Sequence, residues 1–234
     1  ILNALGAPIP EYAHLPMILN ENGQKMSKRR DPVSVVDYAS MGILPEALLN
    51  YLARLGWSHG DSEYFTLEQF VEWFDFKNVT ESPARFDMNK LKWVNQQHIK
   101  HAPVSTLAEC TPQHANVDRI IELIRPRCTT LTELREGVAP FVQRLTPTLS
   151  DLEKHYFPNQ HLLSEFISNT AFEWRADCID HAIREFCKTH AIKIAQLAMP
   201  LRLAVCGTTQ TPSIGAVLEL LGKHETIARV NTPF

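Results

Sequence analysis

No stretch of this sequence approaches the roughly 20 consecutive apolar residues that a helix needs to cross a bilayer. The opening residues, "ILNALGAPIPEYAHLP", lack the charged start and apolar heart of a signal peptide. They also lack an initiator Met, so the chain reads as a piece of something longer or as a processed product. There is no excess of basic residues: the net charge of −3 argues against a general nucleic-acid coat. A local basic face stays open, because screening confines each charge to about 10 Å. Disulfide frameworks favour even cysteine counts in small secreted domains. Here five are scattered at Cys110, Cys128, Cys178, Cys187 and Cys206, which fits reduced thiols in a cytosolic protein. Nine glycines are few for an all-β chain, and no internal repeat or low-complexity tract is present.

What is present begins with a metal-like pattern. "CIDHAIREFCKTH" holds Cys178, His181, Cys187 and His190, two C-x-x-H halves of the kind that bind zinc. The same segment reads as helix. At about 100° per residue, nine positions carry a side chain to the opposite face, so the two halves point apart. No Gly or Pro breaks the segment, and the reading preferred here is small buried thiols with partly exposed histidines, and no metal site.

The remaining pattern is mainly helical. "PMILNENGQKM" reads as two short extended runs joined at Asn22-Gly23, a hairpin signal. Asp31-Pro32 supplies a cap and a first-turn proline. "PEALLNYLARLG" starts at Pro45 and ends at Gly56, with Leu48, Leu49, Leu52 and Leu55 at helical spacing and expected in the core. Thr66 with Gln69 makes a capping box for "LEQFVEWF", and Asp87 caps "MNKLKWVNQQHIKH". Polar breaks follow at "HAPVS" and "TPQHAN". Then come "VDRIIELIRPR", "LTELREGVAPFVQRL" capped by Thr130 and Glu133, "LLSEFISNT", "DHAIREFCKTH" and "PSIGAVLELLG".

Lys25, Met26, Ser27, Lys28 and Arg29 form a compact basic run directly after the hairpin signal, with the two lysines three apart. Most short basic runs are solvated turns. A lysine is also a compact point charge that can stabilise a phosphate chain as negative charge develops. The run resembles the signature KMSKS-type loop of class I aminoacyl-tRNA synthetases. Its surroundings narrow the likeness. "HLPMILNENGQKMSKRRDPVSVVDYASMGILPEALLNYLARLGWSHGD", "SPARFDMNKLKWVNQQHIK" and "MPLRLAVCGTTQTPSIGAVLELLGKHETIARV" resemble three ordered blocks of bacterial glutamyl-tRNA synthetase, so the likeness spans essentially the whole chain.

The resemblance implies an ATP-dependent glutamate–tRNA ligase that works through a glutamyl-adenylate. Lys28 would contact the ATP phosphates, while Lys25, Met26, Ser27 and Arg29 shape and hold the loop. ATP would act with Mg2+ in the complete enzyme. The family also needs an H-x-G-H motif and a glutamate pocket. "SHGD" at 58–61 lies after the basic loop and lacks the second His. The sequence therefore resembles the second half of the enzyme, and by itself is expected to be inactive. Residues 1–30 would end the catalytic domain. Residues 31–104 would be a helical stem-contact domain and 105–234 a helical anticodon-binding domain. That makes the fold mainly α, with a short α/β edge at the start.

The resemblance also implies glutamate tRNA as partner, a cytoplasmic monomer and no membrane. Arg127 in "RPRCTTL" matches an Arg placed beside the third anticodon base, with Arg125 two residues away as the rival for that role. Thr211, Pro212 and Ile214 in "TPSI" match a segment that contacts the first anticodon bases. Each has a plain structural reading as well: Arg127 as a surface charge near a helix end, Thr211-Pro212 as a cap with a first-turn proline. Two other readings stay open: a free-standing tRNA-binding protein, and a helical interaction module without RNA. Glutaminyl-tRNA synthetase shares the loop but ends in β-barrels. An enzyme that glutamylates a modified tRNA base resembles only the catalytic half.

Overall fold

Helices carry almost all the regular structure. The computed structural model describes every residue except Lys28, Arg30, Pro32, Val33, Asn169, Thr170, Pro233 and Phe234. It divides into two units, residues 1–98 and 99–234. Among the described residues no helix is long and apolar enough to cross a membrane.

In the first unit, β1 (Ile18–Leu19) and β2 (Ala84–Arg85) pair in parallel, Ile18 opposite Ala84. The expected hairpin at Asn22-Gly23 is reduced to a tight turn. Asn20 Oδ1 accepts from the N–H groups of Asn22 and Gln24, and Gly23 adopts a φ of 75°. A single antiparallel bridge, Leu19 to Lys25, closes the turn among the described residues. The turn chemistry was legible; the strand's long-range partner, 66 residues on, was not.

Among the described residues this unit also holds α1 (Val35–Ser40), α2 (Pro45–Gly56) and α3 (Leu67–Trp73) between the two strands, and α4 (Met88–His101) after β2, with the unit boundary falling inside α4. Asp31 does not cap α1. Ser34 does, its N–H donating to Asp37 Oδ2 at 3.2 Å. Thr66 and Gln69 form the expected box, and Asp87 Oδ1 accepts from the N–H groups of Asn89 and Lys90.

The leucine stripe of α2 splits. Ala47, Leu48 and Tyr51 are buried, but Leu49 and Leu52 are 53% and 38% exposed. The latter two line an apolar groove of about 350 Å3 with Leu15, Pro16, Phe70 and Phe74. Leucines all round a helix give no sign of which face the core takes.

Two buried asparagines fix the segments before α2 and α3. Asn95 Oδ1 accepts from Leu44 N–H at 2.8 Å, and its Nδ2 donates to Gly42 O at 3.1 Å. Asn50 accepts from Phe65 N–H, donates to Glu63 O, and lies 3.0 Å from His98 Nε2.

The second unit contains α5 (Val104–Glu109), α6 (Val117–Ile124), α7 (Leu131–Val142) and α8 (Leu149–Asp151), which runs into a π-turn over Leu152–Tyr156. It continues with α9 (Gln160–Ser168), α10 (Ala176–Thr189), α11 (Ile194–Cys206), α12 (Ile214–Leu221) and α13 (Lys223–Asn231). Ile120, Ile121, Leu134, Val138, Ile179, Ile183, Leu197, Leu201 and Val217 are buried in its core.

Helix α10 runs unbroken from Cys178 through Cys187, and His190 stands just past its end as the C-cap residue. Cys187 is buried within it, and His190 Nε2 sits 2.9 Å from Glu165 Oε1. All five cysteines are free, and burial pushes the Cys206 thiol up to about 12.

Close approaches fix α12 and the chain leading to it. A Cβ on Gly215 would lie 2.5 Å from Ala176 O, so α10 and α12 meet nearly backbone to backbone. Gly207, at a φ of 76°, lies so tightly on Leu145 that a Cβ would fall 1.8 Å from the Leu145 carbonyl oxygen. Buried Arg229 on α13 donates to the carbonyls of Pro140 and Val205, each at 2.7 Å, tying the ends of α7 and α11 together. Carbonyls in a last helical turn have no partner within the helix, and a guanidinium satisfies several at once.

Candidate functional site

The basic loop is held from beneath. Ser27 N–H donates to Asp31 Oδ2 at 2.8 Å, and Asp31 N–H donates back to Ser27 O at 3.0 Å. Asn20 Nδ2 reaches Asp31 Oδ1 at 3.4 Å. Asp31, expected to start a helix, instead closes the loop. Its position four residues after Ser27 gave no sign of this. Met26 is half-buried, its N–H donating to Ile18 O at 3.3 Å, while Lys25 and Arg29 are exposed. Lys28, the expected phosphate contact, lies outside the described residues. A cavity of about 210 Å3 opens beside the loop, lined by Asn20, Asn22, Met26, Asp31, Phe86 and Met88.

The second unit gathers the other candidates. "RPR" leaves α6 as a short 3-10 turn over Arg125–Arg127. Its two arginines differ sharply. Arg125 donates to Ala102 O at 3.0 Å and pairs with Glu122 at 2.8 Å. Arg127 is exposed, and its one contact among the described residues is from Nη1 to Thr211 O at 3.5 Å. Arg127, Thr211 and Pro212 line one cavity of about 570 Å3. Ile124 and Cys128 flank Arg127 there; Leu145, Thr208 and Gln210 extend the side held by Thr211. Glu133, Glu136, Gly137, Pro140 and Phe141 of α7 form the facing wall. Ile214 is 5% exposed and does not line the cavity.

The cap of α12 is a correction. Ser213, not Thr211, starts the helix, its Oγ accepting from Ala216 N–H. Thr211 is thereby left to the cavity edge. Arg202 secures it there: Nε donates to Thr211 Oγ1 at 2.9 Å and Nη2 to Pro212 O at 3.4 Å. Burial, with Arg127 nearby, lowers the Arg202 pKa. Sequence reasoning passed over Arg202, although one cation inside the apolar run "MPLRLAVC" signals a buried charge that needs partners. Thr130 Oγ1 caps α7 as expected, but the Glu133 carboxylate turns to Thr129, accepting from its N–H at 2.6 Å and from its Oγ1. Burial, reinforced by Glu133, pushes the Cys128 thiol up to about 11, so it stays a neutral part of the cavity lining.

Among the described residues no three His, Cys, Asp or Glu side chains converge as a metal site. The cavity is instead an apolar recess, with Cys128 and Phe141 buried in it, edged by one guanidinium, hydroxyls and carboxylates. Such a recess can hold a flat polar ring and read its edge.

The comparisons with known proteins agree along the whole chain. Residues 91–232 match the anticodon binding domain family, and residues 1–93 match the catalytic domain of class I tRNA synthetases (E and Q). A glutamate–tRNA ligase of Chromobacterium violaceum is 50% identical over 98% of this chain and 53% of its own length. One from Neisseria meningitidis serogroup A is 45% identical with the same coverage. The crystal structure of a glutamate tRNA ligase from Elizabethkingia meningosepticum, in complex with its amino acid, superposes with a TM-score of 0.84 at 27% identity. That match covers 99% of this chain and 53% of the other. The chain thus spans about half the length of the relatives it matches. It belongs to the glutamate–tRNA ligase family of class I synthetases, matching the part that joins catalytic-domain sequence to an anticodon-binding domain.

Proposed function

We propose that this chain is the tRNA-binding part of an ATP-dependent glutamate–tRNA ligase, recognising glutamate tRNA through its anticodon. The observation that carries the reading is the meeting of Arg127, Thr211 and Pro212 at one cavity of about 570 Å3. That volume lies within the range of small-ligand clefts, about 300–1,000 Å3. Arg127 is the reader on this view, because its fork is exposed while Arg125 is tied to Ala102 and Glu122. Thr211 and Pro212 present groups to the neighbouring bases, and Ile214 anchors the start of α12 behind them.

Lys28 supplies positive charge to the ATP phosphates when the adenylate forms, and Lys25, Met26, Ser27 and Arg29 keep that loop in shape. Magnesium, when bound with ATP, would neutralise phosphate charge. The 234 residues contain no H-x-G-H motif, so the chain alone should form no glutamyl-adenylate. Glutamate-dependent ATP–pyrophosphate exchange by the pure chain would overturn this.

The anticodon reading is tested by binding of glutamate tRNA and a variant with G for C at the third anticodon position, at one salt concentration. A guanidinium on a base edge discriminates by about 1–3 kcal/mol. Arg127→Gln should remove most of the C-over-G preference and cost less in overall affinity. Equal weakening of both would sink the assignment. A selective loss with Arg125→Gln would move the role to Arg125.

A further inference from the structure

The α7 wall of the cavity carries two carboxylates, Glu133 and Glu136. With Gly137, Pro140 and Phe141 they fall at helical spacing on one face. Their situations differ. The Glu133 carboxylate is taken up by the N–H and Oγ1 of Thr129. Glu136 is exposed and has no partner among the described residues. Apart from the Nη1 contact to Thr211 O, the Arg127 fork has no partner among them either. One cavity therefore presents an open guanidinium and an open carboxylate.

The charged side chains lining it, Arg127, Glu133 and Glu136, sum to −1. The Arg202 guanidinium behind Thr211 and Pro212 brings the local balance to zero, so a phosphate finds no net attraction there and the cavity suits a neutral ring better than an RNA backbone. The recess is apolar, with Ile124, Cys128 and Phe141 all buried. An arginine fork used bidentately needs two adjacent acceptors, and a carboxylate needs a donor. Among pyrimidines, cytosine offers that set in a row: O2 and N3 accept, and the exocyclic N4 amino group donates. In the same pose uracil turns its N3–H toward the guanidinium and its O4 toward the carboxylate.

We propose that Glu136 is a specificity-determining residue that accepts a hydrogen bond from the cytosine amino group while Arg127 holds the O2/N3 edge. The inference rests on the anticodon reading above and extends it: Arg127 excludes guanine, and Glu136 adds to the exclusion of uracil that the N3–H facing Arg127 begins.

The test uses the whole 234-residue chain and hairpin RNAs of the glutamate tRNA anticodon stem-loop, with C, U or G at the third anticodon position. Glu136→Ala should reduce the C-over-U preference about tenfold, with weaker binding of the C hairpin and equal or stronger binding of the U hairpin. Its C-over-G preference should change much less. Glu136→Gln, which keeps an acceptor oxygen, should retain part of the C-over-U preference. Glu109→Ala removes an exposed carboxylate outside the cavity and controls for net charge. If Glu136→Ala strengthens all three hairpins equally, as that control should, Glu136 is only a surface charge and the inference is overturned. The anticodon reading would survive that result, provided Arg127→Gln still removes the C-over-G preference. A wild-type chain that distinguishes none of the three hairpins would overturn both.

Discussion

Asn95 shows what a single residue contributes that composition does not reveal. It is fully buried, and its amide satisfies the carbonyl of Gly42 and the N–H of Leu44, the residue that opens α2. Removing the amide leaves two backbone groups without partners, each at about 1–3 kcal/mol. Asn95→Leu, close in volume, should therefore lower the stability of the first unit by about 2–6 kcal/mol. Urea unfolding followed by tryptophan fluorescence would measure this, and a loss under about 1 kcal/mol would show that water replaces the amide. Nothing in "KWVNQQHIK" set Asn95 apart from its polar neighbours. A polar residue on the buried face of a helix looks like a solvated one until the chain 51 residues away is brought to it. The family likeness is what singles out Arg127 as a proposed reader; that Glu136 lines the same cavity emerges only with α7 in place, and the lone cation in "MPLRLAVC" gives no sign that Arg202 holds Thr211.

At the scale of elements, local chemistry was legible and long-range closure was not. The Thr66–Gln69 box and the Asp87 cap are local patterns, and both form. Asp31 and Thr211 carry the same cap signals but serve the loop and the cavity, because Ser34 and Ser213 stand closer to where their helices start. The tie between α9 and α10 makes a pH-dependent case. His190 Nε2 lies 2.9 Å from Glu165 Oε1, and Nδ1 lies 2.9 Å from Phe186 O. The Glu165 carboxylate first, then the Phe186 carbonyl, raise the His190 pKa. A histidine held above its unfolded value of about 6.5 contributes stability that is fully present below that pH. The contribution is lost as pH rises through the folded value. The wild-type chain should therefore melt above a Glu165→Gln variant near pH 6, with the gap closing as pH rises through the folded value. Melting curves across that range decide it, and a constant gap would mean that the pair acts as an uncharged hydrogen bond.

For the molecule as a whole, the charge balance and the proposed partner pull in opposite directions. A chain of net charge −3 can bind RNA only through local patches, since each charge is screened within about 10 Å. The mainly helical class was legible from caps, prolines and leucine spacing. The boundary expected at 104/105, beside the polar break "HAPVS", lies six residues beyond the division after His98, because α4 runs through that point with no break in pattern. If the chain binds glutamate tRNA as proposed, phosphate contacts supply most of the affinity. The logarithm of the binding constant should then fall linearly with the logarithm of salt concentration, by about 0.7–0.9 for each phosphate neutralised. This gives an independent measure of what Arg127 touches. A side chain on a base edge releases no counterion, so Arg127→Gln should leave the salt slope unchanged while removing the C-over-G preference. A phosphate clamp would behave in the opposite way: the slope would shrink by roughly one and both anticodon variants would weaken together. Titrations of the wild-type and Arg127→Gln chains at four or more salt concentrations, with both tRNAs, separate the two. A reduced slope with an unchanged preference would make Arg127 a phosphate clamp and not a reader.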